Sequence, residues 1–114
     1  MEAGESKAKR ETTDMIKVGD KVACGGSTAS HADVISVPVN LCCKVPEGVN
    51  LEDAAFTTLA SIALQGIRQA DLRVGENCVI IGMGLIGQIT AIILDASGVT
   101  PIGLDISKEN IGLA

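Results

Sequence analysis

Apolar positions change rhythm along the chain, and the changes mark out its elements. Cys78-Val79-Ile80-Ile81 is a continuous apolar run, the pattern of a strand buried on both faces. Leu85 to Ala96 carries Ile89, Ile92 and Ile93 at helical spacing and is closed by Gly98, which predicts a helix with a glycine stop. Thr100 to Asp105 reads as a second strand, with Pro101 near its start where proline is tolerated. Lys108 to Ala114 begins another helix. Upstream, Ala55, Phe56, Leu59, Ile62, Ala63 and Ile67 recur at helical spacing. They predict one helix over residues 51–70, opened by Asn50 with Asp53 three positions on. Gly66 sits inside it at a cost of about 1 kcal/mol relative to Ala. Before Asn50 the pattern is short and turn-punctuated. It predicts three strands: one after Gly19-Asp20, one over His31 to Val39, and one over Leu41 to Pro46. Residues 1–20 hold nine of the charged residues with mixed sign, Lys7, Lys9 and Arg10 among them. They predict a solvated leader, frayed to about Asp14.

Composition bounds the function. The 114 residues suffice for one ordinary domain, and 46% are apolar, so disorder is not the default. The net charge of −5 lacks the basic face a general nucleic-acid binder needs. A single aromatic residue, Phe56, leaves no platform for stacking bases. No apolar run reaches the roughly 18 residues of a spanning helix, and the acidic start Met1-Glu2-Ala3-Gly4-Glu5 is no secretory signal. The expectation is a cytoplasmic protein that binds neither nucleic acid nor membrane. Cys24, Cys42, Cys43 and Cys78 contain no Cys-x-x-Cys pair, and adjacent Cys42 and Cys43 fall on opposite faces of any strand. They read as reduced packing residues.

One motif carries chemistry. Gly82-Met83-Gly84-Leu85-Ile86-Gly87 is G-x-G-x-x-G between an apolar strand and a helix, and Asp105 lies 18 residues past Gly87 at the end of the second strand. That context is what a dinucleotide site requires. Gly82 permits the tight turn, Gly84 lets a pyrophosphate approach the backbone, and Gly87 lets helix and strand pack closely. The helix start at Leu85 and Ile86 offers backbone N–H groups and a positive dipole end to phosphates. Asp105 would accept hydrogen bonds from the adenosine ribose. It would repel a 2′-phosphate, and no Arg follows it. NAD is therefore expected in preference to NADP.

The span from Val18 to Ala114 resembles the medium-chain dehydrogenase/reductase superfamily. The matching segments are Val18-Gly19-Asp20-Lys21-Val22, His31-Ala32-Asp33-Val34 leading to Val37-Pro38, Val45-Pro46-Glu47-Gly48-Val49, Glu52-Asp53-Ala54-Ala55, Val74-Gly75-Glu76, and the run from Val79 to Gly87. The order of segments is more specific than any one of them. Ala55 to Gly66 is most similar to the bacterial sugar-dehydrogenase type. The resemblance implies an α/β fold: a partial Rossmann β-α-β unit preceded by short strands from the end of a GroES-like β domain. It implies residues 15–50 as the C-terminal part of that domain, 51–70 as a connecting helix, and 76–114 as the N-terminal half of the NAD-binding domain. It also implies hydride transfer between a nicotinamide cofactor and a sugar or small alcohol or carbonyl, and a cofactor contact at Ser61.

Departures from the family limit these expectations. The helix position of the family's third zinc ligand corresponds to Thr57, which does not bind zinc, and the clustered cysteines of the structural zinc lobe are missing. No zinc is expected, and no residue is assigned to catalysis. His31 reads as structural rather than as a proton relay, and Glu52 and Asp53 as first-turn acids that complement a helix dipole. Two functions stay open. One is a piece of an NAD-dependent oxidoreductase, inactive alone and associating into homo-oligomers. The other is a nucleotide-binding or assembly module without turnover.

Overall fold

A computed structural model describes residues 2–5, 16–27 and 31–113, with no account of the side chains of 2–5. Lys7, Lys9, Arg10 and Asp14 lie outside the described residues. The chain divides into two compact units, residues 1–58 and 59–114.

The first unit is built on three antiparallel strands in the order β1 (Glu2–Glu5), β2 (Lys21–Cys24), β3 (Cys42–Lys44). β2 follows the turn at Val18-Gly19, where Gly19 takes φ +91°. Such a left-handed backbone favours glycine. Asp20 secures the turn by accepting the Lys17 N–H at 2.8 Å. It also pairs with Lys44 Nζ at 3.0 Å. These contacts, the Lys17 N–H first, hold its carboxyl below the usual carboxylate range.

Three sequence expectations change between residues 2 and 70. Glu2–Glu5 pairs along β2, with Ala3 opposite Ala23, where a frayed leader is expected. Residues 31–38 form bends and irregular backbone instead of a strand, followed by a 3-10 turn over Val39–Leu41. Their Val and Ile content matches strand propensity, but no neighbouring strand pairs with them among the described residues, and propensity without a ladder does not make a strand. The expected helix over 51–70 is broken into α1 (Leu51–Ala54) and α2 (Thr57–Gln69). At the break the Phe56 N–H reaches only back to Asp53 O, at 3.1 Å, and the Thr57 hydroxyl donates to Ala54 O at 2.6 Å. Asn50 caps α1 by accepting the Glu52 N–H at 2.9 Å. Among the described residues of this unit the buried apolar side chains are Ala23 and Ala54, both small.

The second unit contains the β-α-β element: β4 (Asn77–Ile81), α3 (Leu85–Ala96) and β5 (Thr100–Leu104), then α4 (Lys108–Gly112). β4 and β5 are parallel, with Val79 opposite Ile102 and Ile81 opposite Leu104. α3 crosses between them and packs on both. Its Leu94 is fully buried, and Met83, Val99 and Ala63 are buried in the same unit. Ser107 caps α4 by accepting the Asn110 N–H at 3.4 Å. The mixed α/β architecture expected from the sequence is the one observed: short antiparallel strands, then a parallel β-α-β unit.

Candidate nucleotide site

The glycine loop runs from the end of β4 into α3, and each glycine meets a different physical demand. Gly82 adopts φ +98°, and its N–H donates to Leu104 O at 2.8 Å, tying the loop to the end of β5. A Cβ on Gly87 would run into the Gly82 carbonyl. The close approach of α3 to β4 therefore requires glycine there. Gly84 has open space around the place its Cβ would occupy. It is the N-cap of α3, in extended conformation, with no side chain capping the helix. The first N–H groups of a helix lack intrahelical acceptors, so the starts at Leu85 and Ile86 present donors and a positive dipole end. Both residues are exposed.

Asp105 follows β5 directly, and its carboxylate is drawn onto the loop. Its Oδ2 accepts the Met83 N–H at 2.7 Å and the Asn110 Nδ2–H at 3.1 Å, while Oδ1 accepts the Ser107 N–H at 2.7 Å. The Ser107 N–H, then Asn110, then the Met83 N–H hold the carboxyl below its usual range. Donors to the ionised form stabilise it.

Two residues that the sequence reading passed over complete this arrangement. Gln88 Nε2 donates to Met83 O at 3.1 Å and to Asn110 O at 2.8 Å, and Asn110 reaches Asp105. The glycine loop, the end of β5 and α4 are thereby joined in one polar network. Met83, the variable position between the first two glycines, is 2% exposed. It fills the space over β5, where a Cβ on Gly103 would meet its sulfur at 2.7 Å. A lone glycine inside a strand signals close approach, and that sign was available at Gly103. Nothing local in the sequence connects Gln88 to Asn110.

The remaining candidates are placed as follows. Ser61 is exposed on α2, and none of the contacts described above for Asp105 and the loop involves it. Thr57 is committed through its hydroxyl to Ala54 O. His31 is exposed and stands in a bend. Glu52 and Asp53 occupy the first turn of α1. The cysteines expected to pack are half-buried at 24, 42 and 78, and Cys43 is exposed. No three His, Cys, Asp or Glu side chains are grouped to hold a metal ion among the described residues. None of the helices there is long and apolar enough to cross a membrane.

Comparison with known proteins adds the context of the whole chain. No protein-family model matches it. A D-guloside 3-dehydrogenase of Escherichia coli K12 is 36% identical over 90 residues, covering 77% of this chain and 25% of the relative. An L-idonate 5-dehydrogenase of Vitis vinifera is 32% identical over 89 residues, covering 77% and 24%. A zinc-type alcohol dehydrogenase-like protein of Haemophilus influenzae is 33% identical over 82 residues, covering 72% and 24%. The chain spans about a quarter of the length of these curated relatives. Among solved structures, a quinone oxidoreductase of Thermus thermophilus, determined also in complex with NADPH, matches with a TM-score of 0.70. It shares 24% identity, over 81% of this chain and 32% of that one. The run of dehydrogenase relatives and the shared fold place this chain, as a partial segment, in the medium-chain dehydrogenase/reductase superfamily.

Proposed function

We propose that the chain carries the first half of the nucleotide site of an NAD(H)-dependent oxidoreductase acting on a sugar or small alcohol or carbonyl. In this reading residues 15–50 belong to a GroES-like domain, the helical stretch 51–70 connects, and residues 76–114 begin the Rossmann domain. The observation that carries it is the contact between Asp105 Oδ2 and the Met83 N–H at 2.7 Å, which puts a carboxylate beside the glycine turn. A nicotinamide cofactor, when bound, supplies or accepts the hydride. The residues of this chain bind and orient. Gly84 leaves room for the pyrophosphate, and the α3 N-terminus meets its charge. Asp105 accepts from a ribose diol and repels a 2′-phosphate. Leu85 and Ile86 stand at the mouth of this site, and Ser61 is a further cofactor contact by family likeness alone.

A titration of the chain with NADH and NADPH tests the reading. Weak saturable binding of NADH, tighter than that of NADPH, is expected, with no oxidation or reduction of simple sugars and alcohols by this chain alone. Equal or tighter binding of NADPH sinks the cofactor assignment, and measurable turnover sinks the division of labour.

The chain is also expected to hold no zinc. Thr57 stands at the ligand position on the helix, and zinc sites draw three or four protein ligands from Cys, His and carboxylates. Elemental analysis after dialysis against a weak chelator is expected to find far less than one zinc per chain. A stoichiometric amount contradicts this expectation.

Self-association belongs to the same proposal. Two strands alone are marginally stable in water, and Val79, Ile81, Ile102 and Leu104 are all exposed, Ile81 at 88%. A second copy covering this sheet would remove apolar surface worth about 25 cal/mol per Å2. Light scattering at micromolar concentration is expected to give a dimer or larger species, and a monodisperse monomer contradicts this part.

A further inference from the structure

The pairing of β2 with β3 sets Cys24 directly opposite Cys42. The kind of pair follows from the backbone. Gly25 N–H donates to Leu41 O at 3.1 Å, and Val45 N–H donates to Lys21 O at 2.9 Å. Hydrogen-bonded and non-hydrogen-bonded pairs alternate along an antiparallel ladder. With Gly25 opposite Leu41 and Lys21 opposite Val45 as bonded positions, Ala23 and Cys43 are a bonded pair as well. Cys24 and Cys42 therefore occupy a non-hydrogen-bonded position. There the Cα atoms stand about 4.5 Å apart and the side chains approach most closely. That spacing lies within the roughly 4.4–6.8 Å that a disulfide spans.

Strand geometry also separates the two adjacent cysteines. Side chains alternate between faces, so Cys24 and Cys42 share one face while Ala23 and Cys43 share the other. Cys43 lines a cleft with Ala23, Val45, Asp53 and Ala54, on the α1 side. Cys42 is a half-buried thiol that donates to Pro38 O at 3.5 Å. Burial, then the neighbouring Cys43, pushes its pKa up.

We propose that Cys24 and Cys42 are a thiol-oxidation site, closing a cross-strand disulfide when the chain meets a small-molecule disulfide of the glutathione class. One cysteine thiolate attacks the oxidant, forming a mixed disulfide and releasing one glutathione thiolate. The second cysteine thiolate attacks the protein sulfur of that mixed disulfide and releases the other. Two cysteine thiols are oxidised to one protein disulfide, glutathione disulfide is reduced to two thiols, and the protons lost by the cysteines pass to the glutathione thiolates. The link closes the segment from Cys24 to Cys42, including the irregular stretch 31–38, and fixes β2 against β3. It involves none of the residues of the nucleotide network and stands whether or not that site binds.

The test uses the full chain, equilibrated with reduced and oxidised glutathione, alkylated, and digested without reduction. Trypsin releases Val22–Lys44 as one peptide, because no Lys or Arg lies between its ends. This peptide is expected to lose two hydrogens, with Cys43 alone alkylated. Cleavage before Asp33, the one aspartate in the peptide, is expected to leave the halves joined until a reductant is added. Cys43→Ser is expected to keep the link, and Cys24→Ser and Cys42→Ser each to abolish it. The oxidised chain is expected to melt at higher temperature than the reduced one, because the crosslink restricts the unfolded ensemble. A Cys42–Cys43 bond, which lets the halves separate without reduction, overturns the proposal. So does a Cys24–Cys43 bond, a covalent dimer, or glutathione adducts without a protein disulfide.

Discussion

Gly87→Ala is expected to lower the melting midpoint of residues 59–114 by about 10–20 °C, while Gly84→Ala leaves it nearly unchanged. At Gly87 the added methyl meets the Gly82 carbonyl, a backbone atom held by the turn at φ +98° and by the Gly82 N–H bond to Leu104 O. Neither side can yield without moving α3 off β4. Overpacking at buried sites costs about 1–3 kcal/mol, more when backbone must shift. One kcal/mol moves the midpoint of a 60–100-residue domain by about 4–8 °C. At Gly84 the added methyl enters open space, and the backbone lies at φ −71°. That substitution is expected to preserve folding and weaken NADH binding, because the methyl stands where a pyrophosphate would approach. Thermal melts by circular dichroism beside NADH titrations separate the two. An unshifted melt for Gly87→Ala would mean that helix and strand are not in the contact described. Undiminished NADH binding by Gly84→Ala would remove the loop from the proposed site.

Asp105→Ala is expected to weaken NADH binding by about 10–100-fold and to narrow the gap between NADH and NADPH. A hydrogen bond to a charged acceptor is stronger than one between neutral groups, and its loss appears directly in the dissociation constant. The same change strips acceptors from the Met83 and Ser107 N–H groups and the Asn110 carboxamide, so the loop loosens as well. The pH dependence has a definite sign. These donors depress the folded-state pKa of Asp105 below its usual value. The anchoring is therefore complete above the ordinary carboxylate pKa and is lost only as pH falls through the lower native value. A carboxyl-detected NMR titration is expected to find Asp105 still ionised where exposed carboxylates are already protonating. Titration of Asp105 at or above the ordinary value would show that the contacts to Met83 and Ser107 do not persist in solution. An unchanged preference between the two cofactors in Asp105→Ala would place the discrimination elsewhere.

The division between sequence and structure follows the range of the interactions. The bounds of α3, the glycine turn and the strand ending at Asp105 were legible in the sequence, because a helix with an uncapped glycine start and a glycine stop is specified within a few residues of chain. β4 was legible as a strand from its continuous apolar run, but the burial on both faces that such a run predicts is not observed: Val79 and Ile81 are exposed, because the sheet has only two strands among the described residues. The stretch 31–38 was not: its Val and Ile residues have strand propensity, but a strand exists only where a partner supplies a ladder, and that partner is a non-local fact. The same reason hid β1, whose acidic residues read as solvated until β2 pairs with them. The break between α1 and α2 depends on a short i→i−3 turn and the Thr57 hydroxyl, both compatible with the helical spacing that runs across them. At the proposed nucleotide site the sequence determined which residues carry charge and which are glycine. Only the tertiary structure turned Asp105 onto the Met83 N–H, laid Met83 over Gly103 and joined Gln88 to Asn110, because each contact spans about twenty residues or crosses between elements. The register of β2 on β3 is the same kind of fact. The cysteines were visible from the start, but it took the hydrogen-bond pattern between two strands to set Cys42, and not its neighbour Cys43, opposite Cys24 on one face.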